Sequence, residues 1–315
     1  MAFLRGFGCY LPARVVDNAE LAPMVGADPA WMLQVTGIEQ RRFAADGETV
    51  SSLGTEAARD CLKNSGALSS DVGLLIAASG SGEYRFPGPA TSIARGLGLA
   101  GVPAIDLPIA SAGSLFGLSL AATLARQYGN VLVVGSEIMS RVVRLEPPGR
   151  DTAILFGDGA GACLVTETDG FAEVADSVLA SDGEFAEALR LYLDAPLYMD
   201  GRSIILHASR KMPRAILQLL ERNRLPAGDV GAFILHQANL NLIERVAKTV
   251  GVPASRFFSN LQRYGNTSSA SMLIAAAEWR AANPEKLAHP LVFAAFGAGL
   301  HWGALLAVPP ATATR

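Results

Sequence analysis

Ile105-Asp106-Leu107-Pro108-Ile109-Ala110-Ser111-Ala112-Gly113-Ser114-Leu115-Phe116, continuing through Gly117-Leu118-Ser119-Leu120-Ala121-Ala122, is the stretch on which the fold turns. It opens as a short apolar strand broken by Pro108 and becomes a run of small and large apolar residues with no lasting polar face. A helix that is apolar all round is a buried helix. Ser111 stands at the switch, where the first helical N–H groups are unpaired and carry the positive end of the dipole. A nucleophile there would have its developing anion stabilised, although the commoner role of such a serine is a helix cap.

Working outward, the flanking segments alternate strands and helices. A strand is expected over residues 3–16, followed by capped helices beginning at Asp17-Asn18 and Asp28-Pro29, the second ending at Gly37. Arg41-Arg42 reads as exposed or strand. A helix follows over 48–66, an apolar strand over 72–78, a helix over 90–97 and a strand over 131–137. Continuous apolar strands belong to sheets covered on both faces. The Gly-rich run around Asp158 (Gly157-Asp158-Gly159-Ala160-Gly161) implies close backbone approach. A first half ends near residue 168. The second (169–315) repeats the rhythm: a strand over 172–179, a polar excursion over 180–203, a helix from about 209 to 223, a strand at 233–236, helices over 240–250 and 271–279, and a last strand over 290–295. Two similar α/β halves, 1–168 and 169–315, are the expected organisation.

Composition narrows function. With 315 residues, half of them hydrophobic, the chain can bury a sizeable core, and 26 basic against 29 acidic residues (net −3) build no field that invites nucleic acid or an anionic membrane. Cys9, Cys61 and Cys163 are too few and too dispersed for a disulfide framework or a metal site, and read as reduced core residues. No apolar run reaches membrane-spanning length and the N-terminus lacks a signal-peptide pattern, so a soluble cytoplasmic protein without metal or redox cofactor is expected.

Three segments carry chemistry. His236 ends an apolar strand and opens His236-Gln237-Ala238-Asn239, at the kind of strand end where α/β active sites gather. Arg263-Tyr264-Gly265-Asn266-Thr267-Ser268 is a tight Gly-Asn turn leading into a helix of small residues. Phe296-Gly297-Ala298-Gly299 is a Gly-rich loop able to present N–H groups to an oxyanion. Each alone also reads as ordinary structure: a satisfied histidine, a capped turn, a loop.

Taken together with Gly6-Phe7-Gly8-Cys9-Tyr10-Leu11-Pro12, Asp28 to Trp31 and Thr36-Gly37-Ile38, the set resembles the 3-oxoacyl-acyl-carrier-protein synthase III family over almost the whole chain. The resemblance implies a thiolase-like fold with α-β-α-β-α layers and a homodimer. It implies acyl transfer from an acyl-CoA primer, then decarboxylative Claisen condensation with malonyl acyl carrier protein, on CoA and phosphopantetheine thioesters. In the family the position of Ser111 is a cysteine that carries the acyl group, and His236 and Asn266 match residues that bind the malonyl carbonyl. The N–H groups of Ser111 and Gly299 match the oxyanion donors. Trp31 and Arg150 match residues that flank the CoA adenine, and Phe86 matches one that reaches across the dimer. Ser268 belongs to the same substrate-binding set. An arginine common four positions after the tryptophan is Val35 here.

Ser111 departs from the family. A thiol at a helix N-terminus ionises near neutral pH, whereas a hydroxyl needs a general base, and His236 is the one candidate. Three explanations stand: an engineered Cys→Ser change, a natural serine-dependent starter-unit acyltransferase of polyketide type, and a decarboxylase or non-condensing acyl-thioester binder. Arg85 and Arg144 suit an acyl chain ending in a carboxylate, such as glutaryl. Lys248, Arg210, Lys211 and Arg214 could form a basic rim for an acidic carrier protein.

Overall fold

The structure is a computed structural model that describes residues 1–192 and 194–311. The expected first strand divides at Pro12 into β1 (Phe3–Tyr10) and β2 (Arg14–Asp17), because proline offers no N–H to a ladder. Asp17 and Asp28 cap α1 (Asn18–Val25) and α2 (Pro29–Thr36), accepting from the N–H groups of Glu20 and Trp31 at 2.8 Å each. β3 (Gln40–Phe43) pairs with β2. Next come α3 (Val50–Ser65), β4 (Leu74–Ala78), α4 (Pro89–Gly96), β5 (Ala104–Leu107), α5 (Gly113–Tyr128), β6 (Asn130–Ile138), α6 (Arg150–Ala153) and β7 (Asp158–Thr166).

The rest of the chain builds β8 (Ala172–Ser181), β9 (Leu189–Arg190), β10 (Tyr198–Met199), α7 (Gly201–Arg222), β11 (Ala232–Leu235), α8 (Leu240–Val250), β12 (Phe257–Phe258), α9 (Leu261–Tyr264) and α10 (Ser271–Ala282). It closes with β13 (Leu291–Gly297) and β14 (His301–Val308). Two expectations change here. α7 begins eight residues early, because Asp200 caps it by accepting the Ser203 N–H at 3.1 Å. The Gly-rich segment after the last expected strand is a tight hairpin, since β14 runs back antiparallel along β13.

Ten strands join in the order β12-β11-β13-β14-β8-β1-β7-β6-β4-β5. The order is a palindrome about the β8/β1 joint. On each side the first strand pairs antiparallel with the fifth, the fifth antiparallel with the fourth, and the fourth parallel with the second, which pairs parallel with the third. Helices α5 and α10 lie between the two halves of this sheet, touching strands of both, with α3 and α4 outside one half and α7 and α8 outside the other. That is the expected α-β-α-β-α order. The central core unites Leu115 and Leu118 of α5, Met272 and Leu273 of α10, and Ile76, Val133, Ile234 and Phe293 of the strands.

α5 is not apolar-buried on every side within one chain. Leu120 is 41% exposed, and Phe116 and Ser119 are half-buried on the same flank. Among the described residues, no helix is long and apolar enough to cross a membrane and no cluster of side chains could hold a metal.

Where β1 crosses α3 the backbones almost touch. A Cβ on Gly8 would lie 2.1 Å from the Cys61 nitrogen and 2.7 Å from the Ala57 carbonyl oxygen. Both neighbours are main chain of a capped helix and cannot yield cheaply. Gly8→Ala is expected to destabilise the fold by about 3 kcal/mol, read as a lower denaturant midpoint at unchanged slope.

Candidate active site

The sheet brings the carboxyl ends of β5, β11 and β13 to one place, and the chain leaves each of them carrying a candidate residue. After β5 the backbone turns sharply through Ser111, at φ +64°, before α5 begins at Gly113. An L-residue enters this region at a cost, so the surroundings must impose it. Gly297 at the end of β13 leaves the room: a Cβ there would lie 2.1 Å from the Ala110 oxygen and 3.0 Å from Ser111 Cβ.

His236 follows β11 directly, its N–H donating to the Ala294 carbonyl at 2.8 Å. Its Nδ1 is 2.6 Å from Ser271 Oγ. Asn266 is held through its backbone, which donates to Leu155 O (2.8 Å) and accepts from Gly157 N (3.1 Å). Its Oδ1 accepts the Ser268 N–H at 2.9 Å, and Ser268 itself sits at φ +47°.

Ser111, His236 and Asn266 share the inner wall of a 350 Å³ cavity, with Phe296 and Gly297 beside them. Trp31 and Arg150 line the same cavity, the guanidinium lying 5.1 Å from the indole ring centre and paired with Asp151 at 3.0 Å. Val35 is on this wall too, so the arginine absent from the sequence leaves an apolar surface there. A second cavity of 50 Å³ meets Ser111 from another side, lined by Ala110, Met139, Leu191, Leu197, Ser268 and Ala298 among others.

Several sequence expectations shift. The Ser111 N–H is not free for an oxyanion, because it donates to Ser268 Oγ at 3.0 Å. Gly299 is not on either cavity wall; at φ +136° it turns the chain toward His301, and Gly297 and Ala298 are the loop residues beside Ser111. Arg144 is exposed and packs its main chain on Gly149, away from both cavities, while Arg85 and Phe86 (82% exposed) lie on a loop along an open groove that adjoins the small cavity at Gly80, Ala110, Leu191 and Ala298. Lys211 is committed to the fold: its ammonium pairs with Asp182 at 2.7 Å and lies 4.1 Å from the Trp302 ring centre. Arg210, Arg214 and Lys248 remain exposed.

Arg41, expected on the surface or in a strand, is fully buried in β3 and donates to Asn18 Oδ1 (2.8 Å) and to the carbonyl of Ile154 (3.0 Å), a residue of the larger cavity wall. Ser271 and Glu137 were not singled out from sequence. The Glu137 carboxylate is buried and accepts from the Gly80 N–H, the Ser79 and Ser81 hydroxyls and the Ser269 N–H.

A left-handed serine at a strand-to-helix turn, a buried histidine and an asparagine on one thioester-sized cavity, within a five-layer duplicated fold, define a thiolase-fold acyl-transferring condensing enzyme. Family profiles agree: one described as 3-oxoacyl-[acyl-carrier-protein (ACP)] synthase III matches residues 105–183, and its C-terminal counterpart matches residues 220–308. The β-ketoacyl-[acyl-carrier-protein] synthase III of Oleidesulfovibrio alaskensis is 38% identical, covering 97% of this chain and 98% of that protein; the Rhodobacter capsulatus protein of the same name is 36% identical at the same coverage. The crystal structure of the Aquifex aeolicus 3-oxoacyl-[acyl-carrier-protein] synthase III superimposes with a TM-score of 0.93 at 32% identity, over 98% of this chain and all of that one. The priming β-ketosynthase of the R1128 polyketide pathway gives 0.90 at 30%, over 99% and 97%. The chain belongs to the 3-oxoacyl-[acyl-carrier-protein] synthase III family.

Burial pushes the His236 imidazole down to about 4, so it is neutral at pH 7. The folded value is below the unfolded one, near 6.5. Between those values the unfolded chain takes up a proton that the folded chain refuses. Stability from this residue is therefore complete above pH 6.5 and is lost as pH falls toward 4. His236→Gln should flatten the decline of Tm across that window, with little change in slope above pH 7.

Proposed function

We propose that the chain condenses a short acyl primer, carried on Ser111, with a malonyl thioester bound at His236 and Asn266. The observation that carries this reading is the neutral, buried His236 beside Asn266 on the cavity wall, with no acidic partner on its ring among the described residues. Such a pair offers hydrogen bonds rather than a base. The malonyl carbonyl oxygen would accept from both side chains, the electrons of the breaking C–C bond would flow into the enolate as CO2 leaves, and the enolate carbon would attack the acyl carbonyl on Ser111 Oγ. The tetrahedral oxyanion then expels the serine oxygen, which takes up a proton, and releases the 3-oxoacyl thioester.

Trp31 and Arg150 support a CoA thioester as the primer's carrier, and the exposed Arg210, Arg214 and Lys248 support an acidic acyl carrier protein for the malonyl group. The 50 Å³ cavity has room for only a few carbons. A dicarboxylic primer of the glutaryl type would meet Arg190, the charged residue on that wall, rather than Arg144 or Arg85. A homodimer is supported by the exposed edge strand β5, with Ile105 42% exposed, by the uncovered Leu120 flank of α5, and by the exposed Phe86 on the loop before α4, which would reach a partner.

The serine-dependent starter-unit acyltransferase is the second reading, favoured by Ser111 itself. It requires a base, and His236 is weakly basic with Nδ1 already engaged. Acylation of Ser111 is thus expected to be the slow step. Intact-protein mass spectrometry with a panel of acyl-CoAs should show Ser111→Cys loading and condensing at least about 10²-fold faster than the chain with Ser111. Decarboxylation of malonyl carrier protein should persist in both. Equal loading and onward transfer by the serine form, without malonyl consumption, would establish the acyltransferase instead.

A further inference from the structure

His236 commits one ring nitrogen within the chain, and the residue that takes it opens α10, 35 residues further along. Ser271, the first residue of α10, is buried, and its Oγ lies 2.6 Å from His236 Nδ1. The same oxygen accepts the Gln237 N–H at 3.0 Å. Gln237 is itself pinned, its side-chain amide donating to Leu235 O at 2.7 Å and Phe258 O at 3.3 Å, so its N–H direction is fixed.

A hydroxyl has one proton to give and two lone pairs to receive. The Gln237 N–H occupies one lone pair. Among the described residues Ser271 Oγ has no further partner, so the one acceptor within reach of its proton is Nδ1. The opposite arrangement, with the proton on Nδ1, leaves a buried hydroxyl hydrogen with no acceptor, which folded proteins avoid. Nε2 has no partner among the described residues, and the ring stands on the cavity wall.

We propose that Ser271 is a positioning residue that fixes His236 as the Nε2–H tautomer, so that the imidazole offers the cavity a hydrogen-bond donor for a thioester carbonyl and no base for Ser111. The catalytic consequence rests on the condensation reading above; the tautomer is a property of the free protein. It explains why a hydroxyl is needed at the start of a helix whose next six residues, Met272 to Ala277, are all apolar. It also separates two roles that one histidine could otherwise mix.

The test is long-range 1H–15N NMR on the full chain labelled at histidine nitrogens, at pH 7, with His236 assigned by its loss in His236→Gln. The expected result is a single tautomer protonated at Nε2. Ser271→Ala should give mixed tautomers and lower kcat for malonyl-CoA decarboxylation by about 10²-fold, the scale of losing one oriented donor, with KM within about twofold. Ser271→Thr, which keeps the hydroxyl, should restore both. Protonation at Nδ1 in the unsubstituted chain would overturn the proposal even if Ser271→Ala failed to fold, as would an unchanged tautomer and kcat in Ser271→Ala. A chain that holds the Nε2–H tautomer yet does not decarboxylate malonyl-CoA would support the assignment and overturn the condensation reading.

Discussion

The backbone of Ser111 is held where an L-residue does not rest of its own accord, and the centre of the molecule is built to keep it there. Its φ of +64° is of the kind that costs on the order of 1–3 kcal/mol and persists only where neighbours impose it. Gly297 supplies the space, since any side chain at that position would strike the Ala110 carbonyl. Ser268 supplies the hold, accepting the Ser111 N–H while its own N–H is fixed by Asn266 Oδ1. Serine and asparagine are thus oriented by one short chain of hydrogen bonds that runs from the first half of the fold to the second. Disturbing either end moves both.

The same logic extends to the floor of the small cavity. Glu137 is a buried carboxylate satisfied by N–H and hydroxyl donors, three of them on the Ser79-Gly80-Ser81 loop and one on Ser269, next to Ser268. Ser269 in turn donates to the Ile109 carbonyl at 2.9 Å, in the strand-to-helix passage that leads to Ser111. A charge kept in this way needs every donor, so the loop and the turn share one geometry. Sites assembled on strand ends and helix starts, and cross-linked by such donors, hold position better than sites on free loops.

Much of this was legible in the chain. Ser111 announces itself because a strand pattern becomes a helix pattern there, and His236 because an apolar strand stops at it; both signals are local. The Gly-Asn turn at Asn266 is equally local. What lay hidden depends on contacts between distant segments. Lys211 reads as a rim cation until Asp182, 29 residues away, is found beneath it. Arg41 reads as exposed or strand, and the strand is found, but its complete burial shows only where its partners at Asn18 and Ile154 close over it. The exposed flank of α5 follows from its place at the margin of the central layer, which composition does not encode. Ser271 looked like one more small residue opening a helix, because nothing in the sequence says that α10 begins against the carboxyl end of β11. At the β13–β14 hairpin the glycines stand out in the sequence, but which of three consecutive residues meets the cavity depends on the turn's backbone.

In the proposed condensation the arrangement separates two halves of one reaction. Stabilising an enolate asks for donors that are already in place and neutral, and a buried histidine with Nδ1 engaged, next to an asparagine, meets that need without help from residue 111. Forming the acyl enzyme asks instead for a nucleophile that ionises, which a thiol at a helix N-terminus can do unaided and a hydroxyl cannot. An environment that lowers the basicity of His236 leaves it, for that reason, a weak base for the serine. The two demands conflict at a single side chain, and the packing around His236 resolves the conflict in favour of the carbon–carbon bond-breaking step.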